Sequence, residues 1–318
     1  MGKDLGTAMT HPPRLRACFL LIAGMAVVGA YVAFSKVLVA TVPVFLLATI
    51  RFAIAALVML PWTFPRGGWA VARAQARTLF LQSLFGNFLF SICMLSGVAR
   101  TSATAAGLIM SMLPAVVALL SLIALRERLS GRTLCAIALA VIGVASLVLV
   151  RADSSGAAAD AAVNAATQRL GNLLMVGAVF CEALYVILGK RLTSASLEPM
   201  QISAWINLVG LALIAPLGLL QAAHFDFASI TPALWLLIGV YAIAASIVST
   251  WLWLSGLKHV PASEAGVFTI ALPVTSALVG IAFLGESLTR AHGIAFACAV
   301  AGVTLMTRKQ PHRPLPRA

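Results

Sequence analysis

The chain has 318 residues, of which 61% are hydrophobic and only 10% are charged, and its mean hydropathy is +1.03. A soluble protein carries about a quarter charged residues, so this composition excludes an ordinary soluble domain and indicates an integral membrane protein. The net charge of +13 does not indicate nucleic-acid binding, because the basic residues lie between apolar runs and form no stripe with interleaved aromatics.

Apolar runs recur along the chain from Cys18 to Met306. Each is about 20 residues long, the length that a helix needs to cross a hydrocarbon layer. Pro, Gly and basic residues separate the runs, as expected for short loops. We predict an all-α integral membrane protein of about ten transmembrane helices. The predicted spans are residues 17–35, 43–62, 78–98, 102–125, 131–150, 171–190, 199–220, 232–255, 261–284 and 290–307.

The basic residues predict how these spans are oriented. With the N-terminus inside, sixteen Lys and Arg residues lie on the cytoplasmic side and five lie outside, while Arg51 falls within a span. Cytoplasmic loops of membrane proteins carry such an excess of Lys and Arg. We therefore expect a multi-pass protein of the bacterial inner membrane. Both termini are expected in the cytoplasm, with an N-terminal tail at 1–16 and a basic C-terminal tail at 308–318.

The two halves of the chain resemble each other when one is shifted by 159 residues. We predict two five-helix repeats, 17–150 and 171–307, joined by an external linker at 151–170. Because five is an odd number of spans, the repeats are expected to be inverted, an architecture known from transporters. The strongest matches pair Leu113-Pro114 with Leu272-Pro273, Glu127 with Glu286, and Gly143-Val144 with Gly302-Val303.

Polar side chains that recur on one face of a span are expected to face protein or water, because exposure to lipid is costly. In the third span Ser83, Asn87 and Ser91 are spaced i, i+4 and i+8. Small polar residues also join membrane helices to each other, so this second interpretation stays open for each of them. The predicted substrate-binding residues are Tyr31, Ser83, Asn87, Ser91, Ser111, Glu182, Tyr185, Ser249 and Trp253.

Glu182 is the acidic residue placed near the middle of a predicted span. An isolated carboxylate at that depth is unfavourable and usually marks a transport pathway or a proton relay. We expect Glu182 either to contact a substrate amine or to carry a coupled proton. The alternative is a structural ion pair with Arg51, which lies at comparable depth in the second span.

Two further pairs of residues have predicted structural roles. Glu127 and Glu286 each end a span before a turn with Ser130 or Thr289, where hydroxyls and carboxylates stabilise the start of the next helix. We expect both glutamates to act as caps. Pro114 and Pro273 are expected to kink their helices midway and to serve as gating points.

These residues resemble the pattern of the drug/metabolite transporter superfamily, specifically its ten-span EamA-type members. The resemblance covers nearly the whole chain and includes Arg51-Phe52, whereas Val28 stands where many members carry Trp. It implies export or exchange of amino acids, other small metabolites or drugs. Its most specific part is Ala103–Ala106, Leu113-Pro114, Glu127–Ser130 and Gly143-Val144, with counterparts at Ala262–Ala265, Leu272-Pro273, Glu286–Thr289 and Gly302-Val303.

We therefore predict a secondary transporter that exports or exchanges a small metabolite, an amino acid or a related compound, by alternating access through a cavity between the repeats. A multidrug or cationic-compound exporter is the alternative. A membrane-embedded enzyme is disfavoured, because the His residues are scattered and no catalytic group is expected. No metal or cofactor is expected, and no P-loop is present. The expected partners are the substrate and the lipid bilayer, with the chain acting as a monomer or homodimer.

Overall fold

The computed structural model describes residues 14–39, 41–63, 73–98, 100, 109–154, 165–195, 197–283 and 290–307. Within these ranges every regular element is a helix. We number them α1 (Arg14–Val39), α2 (Val44–Thr63), α3 (Ala76–Ser83, Leu84–Leu89 and Phe90–Val98), α4 (Leu113–Ala124), α5 (Gly131–Ser154), α6 (Ala165–Ser194), α7 (Pro199–Ala222), α8 (Pro232–Leu257), α9a (Ala262–Phe268), α9b (Ala271–Phe283) and α10 (Arg290–Thr307).

The helices correspond in order to the predicted spans. By length and composition, α1, α2, α6, α7 and α8 are each apolar enough to cross a membrane, and α4, α5 and α10 contain shorter apolar stretches. The predicted class, an all-α membrane protein of about ten helices, is confirmed. Helices α5 and α6 reach into the predicted linker, whose residues 155–164 lie outside the described part of the chain. Most of both predicted tails lies outside it too.

The two halves share the same irregularities at equivalent positions. A π-helical turn occupies Leu84–Leu89 in α3, and another occupies Ala244–Val248 in α8, starting 160 residues later. A π-turn widens the helix and interrupts its regular hydrogen bonding, and such turns are frequent at functional sites. The recurrence of this unusual feature supports the internal repeat independently of residue identity.

Breaks between helices also recur in the two halves. They place the two prolines at a different point in their helices from the one predicted. Helix α4 begins at Leu113 after a turn at Met112, and α9b begins at Ala271 after a turn at Thr269. Pro114 and Pro273 therefore lie in the first turn of a new helix, not midway along a continuous one. The first turn tolerates proline because its N–H groups have no helical acceptor. The gating role of both prolines stays a prediction.

The repeats are interlocked through their first helices. Helix α1 packs against α8 and α9b of the second half, and α6 packs against α3 and α4 of the first half. Equivalent glycines permit the close approach: a Cβ on Gly256 would lie 2.7 Å from Leu21 Cγ, and one on Gly97 would lie 2.8 Å from Met175 Sδ. Without a hydrophobic driving force between helices in lipid, such close backbone packing is a main source of association.

One end of the bundle, which we call the basic end, gathers the charged contacts. Arg14 at the start of α1 forms an ion pair with Glu264 of α9a, and Lys190 near the end of α6 donates a hydrogen bond to the Leu257 carbonyl at the end of α8. Helix α1 therefore begins at this end, whereas its counterpart α6 ends there. At the opposite end, the Leu46 N–H of α2 donates to the Gln221 side chain of α7 over 2.9 Å.

Helix α1 offers a direct test of this packing. A Cβ on Gly29 would lie 2.3 Å from the Leu272 carbonyl oxygen and 2.9 Å from the Ser276 nitrogen, both of them backbone atoms that cannot rotate away. We expect Gly29→Ala to destabilise the protein by about 1–3 kcal/mol through overpacking. The measurement is thermal unfolding of the purified protein in detergent.

The matched control is Gly239→Ala, in the first part of α8. A Cβ there would meet no atom within 4 Å among the described residues. Since alanine has the higher helix propensity, this variant should keep or slightly raise the melting temperature. Equal melting temperatures for the two variants would contradict the tight packing of α1 on α9b.

Candidate functional site

A group of polar side chains lies deep in the bundle, between the repeats. Each of them has an intermediate exposure. Sequence analysis predicted Tyr31, Glu182 and Tyr185 as binding residues, and the structure brings these three together. The central cluster is formed by Tyr31 of α1, Arg51 of α2, Glu182 and Tyr185 of α6, and Tyr241 and Thr250 of α8.

Aromatic rings organise the central cluster. The rings of Tyr31 and Tyr241 meet edge to face, with centroids 5.5 Å apart and an interplanar angle of 83°. The Tyr185 side chain is hydrogen-bonded to that of Thr250. Helix α3 approaches α6 closely at this level, since a Cβ on Gly86 would lie 2.2 Å from the Tyr185 ring. The rings are therefore held in place by contacts from both repeats.

The two charges of the central cluster are opposite in sign and are not paired with each other. Tyr31 and Tyr185 both interact electrostatically with Arg51 and with Glu182. Among the described residues, Glu182 forms no hydrogen bond or ion pair, so the alternative of a structural pair with Arg51 is not realised in this structure. The Arg51 guanidinium lies 4.3 Å from the centroid of the Phe52 ring, and its buried Nε has no hydrogen-bond partner in the described structure.

The three polar residues predicted to share one face of α3 differ in their surroundings: one is buried in a contact between helices, and two are half-buried. Ser83 is fully buried and its hydroxyl donates to the Ile206 carbonyl of α7 over 3.0 Å, so it joins two helices. Asn87 and Ser91 are half-buried. The Asn87 amide donates to the Ser83 hydroxyl over 3.3 Å, and the Ser91 hydroxyl donates to the Asn87 carbonyl.

Three other predicted binding residues lie in the packed interior. Ser111 is buried, and Ser249 is buried with its hydroxyl donating to the Ala245 carbonyl over 2.7 Å. Trp253 is buried where α8 meets α1, since a Cβ on Gly24 would lie 3.1 Å from the Trp253 nitrogen. The structure does not bring these residues into the central cluster.

Asn207 of α7 is a buried polar residue that the sequence analysis did not identify. Its amide donates to the Ser246 carbonyl over 2.9 Å and to the Ser203 carbonyl over 2.8 Å. Ser246 lies in the π-turn of α8, so Asn207 satisfies a carbonyl at the point where regular helical bonding is interrupted. The offset of 156 residues that matches Pro43 with Pro199 also matches Arg51 with Asn207, and this correspondence is the signal that could have found it.

Glu127 is a helix cap, as predicted, but it caps a different helix. Its carboxylate accepts hydrogen bonds from the Ala262 N–H over 2.8 Å, the Ser263 N–H over 3.0 Å and the Ser263 hydroxyl over 2.7 Å. Those groups start α9a in the other repeat. Ser130 itself caps α5, accepting from the Thr133 N–H over 3.2 Å. Glu286 lies outside the described residues.

The role of Asn207 can be tested by removing its amide. Asn207→Leu has similar bulk but removes the shortest hydrogen bond to the Ser246 carbonyl, which then keeps only the Ser203 hydroxyl among these donors. We expect a loss of about 0.5–1.5 kcal/mol, the usual net contribution of one hydrogen bond. Thermal unfolding in detergent measures it.

Ser203→Ala is the graded control for this variant. Ser203 donates to the same carbonyl over the longer distance of 3.2 Å, and its loss leaves Asn207 in place. The loss of stability in Ser203→Ala should be clearly smaller than that in Asn207→Leu. If Asn207→Leu were as stable as the parent protein, Asn207 would not support the π-turn of α8.

Known proteins are similar to this chain over nearly its whole length. The sequence profile of the EamA-like transporter family matches residues 15–149 and again 169–308. "Uncharacterized transporter YetK" of Bacillus subtilis (strain 168) is 36% identical over 295 residues, which cover 92% of this chain and 87% of that protein. "Uncharacterized transporter YyaM" of the same organism is 24% identical, over 73% of this chain and 74% of that protein. A solved crystal structure matches with a TM-score of 0.71 at 20% identity, over 91% of this chain and 95% of that one, which shows a shared fold.

Proposed function

Because the chain belongs to the EamA-like transporter family, we propose that it is a secondary transporter that moves a small metabolite across the bacterial inner membrane. The observation that carries this proposal is the central cluster, in which the two repeats contribute opposite charges that form no ion pair with each other in the described part of the chain. An unpaired charge deep in a membrane protein is unfavourable and is retained where a substrate or ion passes. Alternating access would expose this cluster to one side of the membrane at a time.

The orientation of the protein forms part of the proposal. The sixteen-to-five distribution of Lys and Arg supports a cytoplasmic location for the basic end. Because α1 begins and α6 ends at that end, equivalent helices run in opposite directions, which supports inverted repeats. Inverted repeats are suited to alternating access, since the same motion in each half opens opposite sides.

The charges of the central cluster favour a zwitterionic substrate such as an amino acid. Arg51 matches a carboxylate, since guanidinium and carboxylate form paired hydrogen bonds, and Glu182 matches an ammonium group. Tyr31 and Tyr185 lie close to both charges and present apolar ring faces with polar hydroxyl tips. Both halves of an amino acid would thus find a partner on opposite repeats.

A cationic compound is the second candidate substrate. The rings of Tyr31 and Tyr185 near Glu182, with Tyr241 packed on Tyr31, form the kind of environment that binds organic cations. The positive charge of Arg51 in the same cluster disfavours a substrate with cationic charge alone. Thermal-shift measurements with amino acids and with cationic drugs separate the two, because a bound ligand raises the melting temperature.

Glu182→Gln distinguishes its two predicted roles. If Glu182 carries a coupled proton, the variant should lose transport driven by a pH gradient yet retain substrate exchange at equal pH. If Glu182 contacts the substrate amine, both activities should fall by about tenfold or more, because a hydrogen bond to a charged group contributes about 1.5–3 kcal/mol. Proteoliposomes loaded with a substrate found by thermal shift allow both measurements.

The control is Glu198→Gln at the basic end. The Glu198 side chain is 68% exposed and lies 3.4 Å from Lys258, so this variant makes the same chemical change outside the central cluster. It should retain both activities. Full activity of Glu182→Gln, with unchanged pH dependence, would exclude Glu182 from transport.

A further inference from the structure

The first part of the ninth span, α9a, is a buried segment at the basic end. All seven of its residues, Ala262–Phe268, are buried. It packs against α1, α4, α5, α6 and α10, so it fills the space between the repeats at that end. The turn at Thr269 and Ile270 separates it from α9b, and Pro273 follows in the first turn of α9b. The ninth span is therefore divided into two separate helices.

Polar side chains from three other elements hold α9a in place. Glu127, from the loop between α4 and α5, accepts three hydrogen bonds from Ala262 and Ser263. Glu264 within α9a forms an ion pair with Arg14 of α1. Lys190 of α6 donates to the carbonyls of Leu257 and Val260, just before α9a, over 2.8 and 2.7 Å.

The Glu127 contact is chemically specific for a carboxylate. All three of its partners donate, so the side chain must accept at both oxygens. An amide in its place would bring an NH2 group against one of these donors. The contact also joins the first repeat to the second, whereas an ordinary helix cap lies within one local segment.

We infer that Glu127 is a positioning residue that latches α9a in the closed position, and that its release opens the central cluster toward the basic end. This inference rests on the proposed transport function. Polar contacts suit such a latch, because water replaces them when the segment moves away, whereas separated apolar surfaces would stay exposed to water. The break before α9b supplies the hinge at which the segment moves.

The test measures access to the central cluster from each side of the membrane. Thr250→Cys places a thiol in the cluster, and a membrane-impermeant maleimide is added to inside-out and to right-side-out vesicles. Labelling of the parent chain, which has five cysteines of its own, is subtracted. Glu127→Gln should raise the labelling rate from the basic-end side by roughly tenfold, since a minor conformation is commonly populated at about 0.1–10%. Labelling from the opposite side should fall.

Two further variants separate a latch from a general loss of structure. Ser263→Ala removes one of the three contacts and should give an intermediate shift in the same direction, and it carries the test if Glu127→Gln does not fold. Glu198→Gln changes an exposed carboxylate at the same end and should leave both labelling rates unchanged. An equal rise in labelling from both sides would indicate loosening of the bundle and would overturn the latch.

The latch and the proposed function fail in different ways. Unchanged labelling in folded Glu127→Gln and Ser263→Ala would overturn the latch, and the transport measurements on Glu182→Gln would be unaffected by that result. A rise in labelling from the basic-end side with a fall from the opposite side confirms the latch even if Glu182→Gln leaves transport and its pH dependence unchanged. That second result would contradict the transport role of Glu182 alone.

Discussion

A polar group inside the hydrocarbon layer is stable only where protein or enclosed water satisfies it. Most of the structure follows from this constraint. It requires helices, it places the Asn207 amide against the π-turn of α8, and it brings the Glu127 carboxylate to the start of α9a. Arg51 and Glu182 both lie in the central cluster, and no ion pair joins them in the described structure. They differ in this from Asn207 and Glu127, whose polar groups are matched by hydrogen bonds.

The sequence predicted the helices and the repeat well, because both depend on properties that adjacent residues carry. Apolar length identifies a span, and a constant offset identifies a duplication. The same reasoning brought Tyr31, Glu182 and Tyr185 into one site. Ser249 and Trp253, also predicted to bind substrate, are buried in helix packing, because periodicity identifies a helix face and not the helix that the face meets. The π-turns in α3 and α8 were not predicted either, and one wider turn rotates every later residue relative to the earlier ones.

The two repeats share close packing contacts but differ in their charged residues. Glycines 97 and 256 make the same kind of close contact in each half. At the offset of 154 residues that matches Tyr31 with Tyr185, however, Glu182 corresponds to Val28, and at the offset of 156 residues Arg51 corresponds to Asn207. Asn207 meets a backbone carbonyl, whereas Arg51 remains near the tyrosines. The close packing contacts are thus shared by the two repeats, whereas the charged residues of the central cluster are not.

The packing of α1 on the second half and of α6 on the first half affects how the protein assembles. Neither five-helix half buries its own first helix, so each half is incomplete until the other has entered the membrane. A separate five-helix chain of this kind would need a partner, and the two would have to meet by diffusion within the bilayer. Joining both halves in one polypeptide removes that search and fixes their ratio at one to one. The order of synthesis then means that α1 must wait for α8 and α9b before its interface is complete.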